Sequence, residues 1–358
     1  MITAQYLTGH RDSVTCLSSR GVELASGSDD HSVRLWDPQR TLKSTRRIGG
    51  VFGGGVTSVV LPPACEWSLF ASSPTVVYEF DLRRPEVLLN EAKREFVSGS
   101  TEDINQIAIS SDGALMAHCD DSGSAYVSDL ELGAVLQTLS GAHENICSCV
   151  AFDPDCDAQV ATAGFDAAMI LWDAVSCESV NTLQITADAG SDASSTSGTQ
   201  MLNPPFVHSM DFSGRGEVCA LGLGDGTAGF VDWESLSLYR RLPAHAAVVA
   251  QVHFPKFAPD SHLLTVGNDE ILALWTVPKF DAPSTDVGEE TAVEGKDDAL
   301  VEGQGLGEGA EEEGGSSEAV FRMRCENKVN WMTSLSGSAP IIALADTSNR
   351  ISLLDIPF

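Results

Sequence analysis

The sequence of 358 residues predicts an all-β fold in which residues 1–358 form one ring of seven four-stranded sheets. Three observations predict it. A 12-residue pattern ending in Trp-Asp recurs along the chain, successive copies lie near 44 residues apart, and an apolar pair precedes each copy at an almost constant distance.

The pattern is clearest in Ser26-Gly27-Ser28-Asp29-Asp30-His31-Ser32-Val33-Arg34-Leu35-Trp36-Asp37, and it returns in Thr162 to Asp173 and in Thr265 to Trp275. In each copy a Ser or Thr lies ten residues before the Trp and an Asp lies six before it, with a His further upstream. Weaker copies place Phe80, Ser128, Val231 and Leu354 in the Trp position. Successive positions differ by 44, 48, 44, 59, 44 and 79 residues, and the two long intervals each contain a segment of foreign composition. Residues 186–200 hold no apolar residue larger than Ala. Residues 281–318 hold 13 acids against one base, Lys296, and separate the sixth and seventh units. Low hydrophobicity and one-sided charge cannot offset the entropy of ordering, so both are expected to be disordered insertions. Without them the last intervals shrink to the common period. Apolar pairs three apart begin 22 to 26 residues before each Trp position, from Val14/Leu17 to Val329/Met332, and mark the first strand of each unit. Repeats of this length are too small to bury a core alone and stack around an axis.

Composition narrows the function. The 21 basic and 51 acidic residues leave a net charge of −30, which opposes binding to a phosphate backbone. No apolar run is long enough to span a bilayer, and the N-terminus has no secretory pattern. Nine Cys at irregular spacing suit reduced thiols, and a cytoplasmic or nuclear location is expected.

The repeated polar residues have a structural chemistry. An indole has one N–H donor and no acceptor. A Ser or Thr can accept that bond and donate its hydroxyl to a His ring, which donates in turn to an Asp. Three such sets are available: His10, Ser26, Asp30 and Trp36; His143, Thr162, Asp166 and Trp172; His245, Thr265, Asp269 and Trp275. Three copies at one period, each ending in an indole, point to a structural network rather than a nucleophile, and the chain is not expected to be an enzyme.

On these motifs the chain resembles the WD-repeat β-propeller family, and the resemblance covers nearly the whole sequence. It implies a seven-bladed propeller closed by the N-terminal strand joining the last blade, here Ile2 to Leu7 beside Ile351 to Asp355. Four stretches, Asp120 to Gly123, His143 to Ser148, Met201 to Pro204 and Lys328 to Trp331, resemble one branch of that family. The resemblance also implies function through bound proteins, most simply as one copy within a larger complex.

Phe80-Asp81-Leu82-Arg83, followed by Arg84, resembles the Trp-Asp-x-Arg box by which WD-repeat substrate receptors of cullin-RING ubiquitin ligases contact their propeller adaptor, with Phe80 in place of Trp. The implied adaptor-binding residues are Asp81, Arg83 and Arg84. An arginine presents a planar fork to carboxylates or carbonyls that a lysine cannot match. On the opposite rim Arg11, Asp29, Glu144, Phe165 and Asn268 are expected to surround the central opening as a peptide-binding surface, Asp29 and Glu144 favouring a basic peptide. A chromatin or signalling subunit that reads such a peptide is the alternative function.

Other motifs carry no chemistry. Gly49 to Gly55 lacks the Lys-Ser/Thr of a phosphate loop, and Gly222 to Gly226 has no helix after it. Cys147, Cys149 and Cys156 lack paired metal-ligand spacing. No cofactor or metal is called for.

Overall fold

The computed structural model describes residues 2–97, 99–139, 141–186, 203–279, 319–337 and 339–356. The expected insertion at 281–318, and all of that at 186–200 except Thr186, lie outside the described residues. Every regular element described is a strand, and no helix is long and apolar enough to cross a membrane.

Seven antiparallel sheets form the blades: residues 14–49, 58–97, 104–139, 147–184, 207–243, 249–324, and 329–355 with 3–8. The chain closes as the repeat implies. Thr3–Thr8 pairs antiparallel with Arg350–Asp355, so the first strand in sequence is the outermost strand of the last blade. That pairing occupies an edge which would otherwise be open to other chains.

Second and third strands are apolar on both faces because blades press on each side. Leu24 and Ala25, Val160 and Ala161, and Leu263 and Leu264 are neighbours in sequence and all buried. Seven clusters of buried side chains follow, each lying mainly between two adjacent blades.

The innermost strands touch their neighbours in an unbroken circle. Their edges face the axis with no further strand to pair, and buried backbone groups left without partners are costly. Polar side chains meet the need. Ser18 Oγ accepts the Leu61 N–H at 3.0 Å, Ser58 Oγ that of Ile107 at 3.1 Å, and Gln106 Oε1 that of Val150 at 3.1 Å. Ser148 donates to the Val207 carbonyl at 2.7 Å, and Ser209 Oγ accepts the Val252 N–H at 3.0 Å. Gln251 both donates to and accepts from Met332, and Asn330 donates to the Val14 carbonyl at 2.9 Å. Each blade is thus stitched to the next around the whole ring.

One blade departs from the four-stranded plan. Leu88–Leu89 adds a fifth, parallel strand to the first blade against Arg47 and Ile48, although it follows the third strand of the second. The Arg47 N–H to Val87 carbonyl bond, 2.8 Å, begins that pairing, and Leu89 is buried beneath it.

Candidate functional site

Antiparallel order sorts the loops onto two rims. The upper rim holds the turns between second and third strands and the segments entering each first strand. The lower rim holds the turns from first to second and from third to fourth strands.

The structure brings each expected polar set together just beneath the upper rim. Trp36 Nε1 donates to Ser26 Oγ at 2.9 Å, which lies 2.8 Å from His10 Nε2, and His10 Nδ1 lies 3.0 Å from Asp30. In the fourth blade Trp172, Thr162, His143 and Asp166 are linked at 2.9, 2.9 and 3.0 Å. In the sixth, Trp275, Thr265, His245 and Asp269 are linked at 2.8, 2.8 and 2.9 Å. Each carboxylate also accepts the N–H of the residue after the His, namely Arg11, Glu144 and Ala246, which fixes the entry loop. Burial would raise the Asp30 carboxyl, but bonds from His10, Ser32 and Arg11 outweigh it and hold it well below the usual carboxylate range. Burial lowers His10 and His245 below an ordinary imidazole, only partly offset by Asp30 and Asp269. The hydroxyls of Ser26, Thr162 and Thr265 are fully buried and committed to an indole, so none is placed to attack a substrate.

A second Ser–His–Asp chain, which sequence reasoning missed, crosses three blades toward the lower rim. His253 Nδ1 lies 2.8 Å from Asp211 and Nε2 lies 2.9 Å from Ser334 Oγ. The spacing is that of a catalytic triad, yet Ser334 is fully buried and its oxygen accepts the Lys256 N–H at 2.8 Å. Nε2 also receives the Ser334 N–H at 3.2 Å. The unit is therefore a clamp between the fifth, sixth and seventh blades. The first blade joins it through the Lys256 amine, 2.6 and 2.7 Å from the Ser19 carbonyl and hydroxyl. Lys256 has accessible surface along its stem, but its amine is hemmed in by protein, and this burial lowers it to about 8. Asp211 and His253 each follow the second member of an apolar pair, the one signal in the sequence that could have found them.

On the lower rim Asp81 ends the third strand of the second blade and grips Arg83. Asp81 Oδ1 accepts the Arg83 backbone N–H at 3.0 Å and Nε at 2.9 Å, and Oδ2 accepts Nη2 at 2.7 Å. These bonds from Arg83 hold the half-buried Asp81 carboxyl well below its usual range. The Arg83 side chain is 64% exposed, so its fork is fixed in orientation and still open to solvent. Arg84 turns to Glu91 at 3.2 Å. Phe80, in the Trp position, is fully buried. Sequence reasoning also missed Trp67. The Leu82 N–H donates to its carbonyl at 2.7 Å, which sets it beside the Asp81–Arg83 pair, and it is 53% exposed. Leu42, Leu132 and Val175 are exposed on the same rim, in the third-to-fourth-strand connections of the first, third and fourth blades.

At the centre of the upper rim a cavity of about 340 Å³ is lined by Ser13, Thr15, Asp29, His208, Asn268 and Asn330, among others. Of the expected rim residues, Asp29 and Asn268 line it, whereas Arg11 and Glu144 are exposed outside it. Phe165 is half-buried and packs on Phe206 and His208, with ring centroids 4.7 and 5.8 Å away. Lys328 lies in the lining with Asp29, so the cavity carries both signs rather than acid alone. Burial, reinforced by Asp12, raises the Asp29 carboxyl. Burial also pushes the Cys147 and Cys149 thiols well up, and Cys156 lies apart in a loop. Among the described residues no cluster of three His, Cys, Asp or Glu could hold a metal ion.

Comparison with known proteins agrees with this architecture. The family described as "WD domain, G-beta repeat" matches residues 3–37 and 133–173, which include the complete Trp motifs of the first and fourth blades. The WD repeat-containing protein 53 homolog of Dictyostelium discoideum is 28% identical over 365 residues, 98% of this chain and 93% of that protein. The chain carries WD40 repeats and folds as a seven-bladed β-propeller.

Proposed function

We propose that this WD-repeat protein is a non-catalytic scaffold whose lower rim docks on the propeller adaptor of a cullin-RING ubiquitin ligase, leaving the upper rim to hold a substrate. One observation carries the reading: an exposed arginine, fixed by its own aspartate, stands beside an exposed tryptophan at the point where the resemblance sets an adaptor box. Arg and Trp are the residues that most often dominate binding energy at protein interfaces. Asp81 holds Arg83 in place before binding, so less side-chain entropy is lost on contact. The exposed Leu42, Leu132 and Val175 extend the same rim around it.

Affinity purification of wild type beside Arg83→Ala tests the proposal. The variant should lose the adaptor while its melting temperature stays within about 1 °C, as expected for a surface substitution. Trp67→Ala should weaken recovery in the same direction. Undiminished adaptor recovery in Arg83→Ala would remove the ligase reading. The central cavity would then favour the second reading, a peptide reader in a chromatin or signalling complex. That reading predicts capture of a peptide that Asn268→Ala weakens and Arg83→Ala does not.

A further inference from the structure

The first blade holds an arrangement of charge that neither reading uses. Arg34 and Arg47 are directly opposite each other on its third and fourth strands. Like charges in that position repel. Nine other arginines hold a carboxylate within 4 Å, namely Arg20, Arg40, Arg83, Arg84, Arg94, Arg215, Arg241, Arg324 and Arg350, while Arg46 turns to the Leu82 carbonyl and Arg322 to the Trp275 ring. Among the described residues Arg34 and Arg47 hold none, despite 51 acids in the sequence. The Nε atoms of both are shut off from solvent and have no hydrogen-bond partner.

Glycines lie beside both guanidiniums. A Cβ added to Gly9 would lie 3.0 Å from Arg34 Nη1, and one added to Gly49 would lie 3.5 Å from Arg47 Nη2. Gly9 is where the closing strand leaves the seventh blade for the first, so the pair sits at the seam of the ring. Among the described residues Arg34 donates to a neutral side chain, Ser44 Oγ, at 2.8 Å. Burial lowers Arg34, attraction to Asp30 partly opposes it, and repulsion from Arg47 and Arg11 adds to it. The Asp30 carboxylate nearby is already committed to His10, Ser32 and Arg11.

We propose that Arg34 and Arg47 form a receptor for a phosphate monoester carried on a serine, threonine or tyrosine of a partner polypeptide. Two half-buried guanidiniums with no carboxylate in contact match a dianion with several acceptor oxygens better than a single carboxylate. A nucleic-acid phosphate is disfavoured by the net charge of −30, which repels a long polyanion but tolerates one phosphate at a local basic site. Arg11, exposed at the rim above, adds a third positive charge on the approach.

The test uses the full chain, with N-acetyl-O-phosphoserine amide and inorganic phosphate as probes and chloride at matched ionic strength as control. Calorimetric titration and the thermal midpoint are the readouts. Wild type should bind the phosphoserine amide at least as well as inorganic phosphate and be stabilised by it beyond the chloride control. Arg47→Gln should weaken both effects at least tenfold, while Arg83→Ala should leave them unchanged. Should Arg47→Gln fail to fold, Arg47→Lys keeps the charge, loses the fork, and should still bind several-fold more weakly than wild type. Stabilisation no greater than with chloride, or binding indifferent to Arg47, overturns the proposal. Binding of inorganic phosphate without the monoester overturns its assignment to a modified polypeptide.

Discussion

In the fourth blade the Trp172 indole, the Thr162 hydroxyl and the His143 ring join in one chain, whereas the matching positions of the third blade hold Ser128 and His118, both buried and neither bonded. Tyr126, two residues before Ser128 on the same strand, is buried beside them. Its ring stacks on His118 at 4.8 Å and its hydroxyl donates to Asp120 at 3.1 Å. The second, fifth and seventh blades take a different course and make both positions apolar: Phe70 with Phe80, Leu221 with Val231, Leu344 with Leu354. Replacing both partners of a buried bond by apolar groups costs little, while stranding one costs its full desolvation. The third blade is the one in which the exchange is incomplete, and the comparison marks it as the ring's weak sector.

The largest expected effect breaks the intact member of the pair. Trp172→Ala should destabilise by about 3–5 kcal/mol in urea unfolding, because it empties a large core site and leaves Thr162 with one partner fewer. A loss below about 1 kcal/mol would mean that the indole is not packed as described. A somewhat smaller effect belongs to His118 and depends on pH. Burial depresses its folded-state value from 6.5 to about 4, so the unfolded chain binds the proton more readily. Stability is then full above pH 6.5 and falls by about 3 kcal/mol as pH drops toward 4, at about 1.4 kcal/mol per unit. Since His10 and His245 are depressed too, the difference between wild type and His118→Phe isolates the effect. The variant should lose that share of the acid sensitivity, and unchanged slopes for the two proteins would disprove the assignment. The smallest effect is at Ser128. Removing an unbonded hydroxyl in Ser128→Ala should change stability by less than about 0.5 kcal/mol, whereas a loss above 1 kcal/mol would reveal a partner for it.

The ring was legible because its repeat is written in residues whose spacing is rigid. The three indole sets fixed the phase, and the apolar pairs carried it through blades that lack Trp. The closing strand was legible through the family resemblance, which implies that the strand before the first unit pairs with the last blade. Contacts between blades were not. The Asp211–His253–Ser334 clamp joins residues up to 123 positions apart through single polar side chains, and no periodicity announces such a partner. Arg83 could be singled out on its motif, but its grip by Asp81 and the exposed indole beside it depend on how two turns of one blade meet at the rim. Of the five residues expected around the opening, Asp29 and Asn268 line the cavity, and Lys328, which belongs to a different blade from Asp29, enters the lining only when the ring closes.

The seam of the ring also sets an order of events. Thr8 leaves the ribosome 342 residues ahead of its partner Arg350. At about 5–20 residues per second, roughly 20–70 s pass before the two can meet. During that time the leading strand and the flank of the first blade are both bare, and this is when a chaperone, or a neighbouring chain emerging from the same message, has its opportunity.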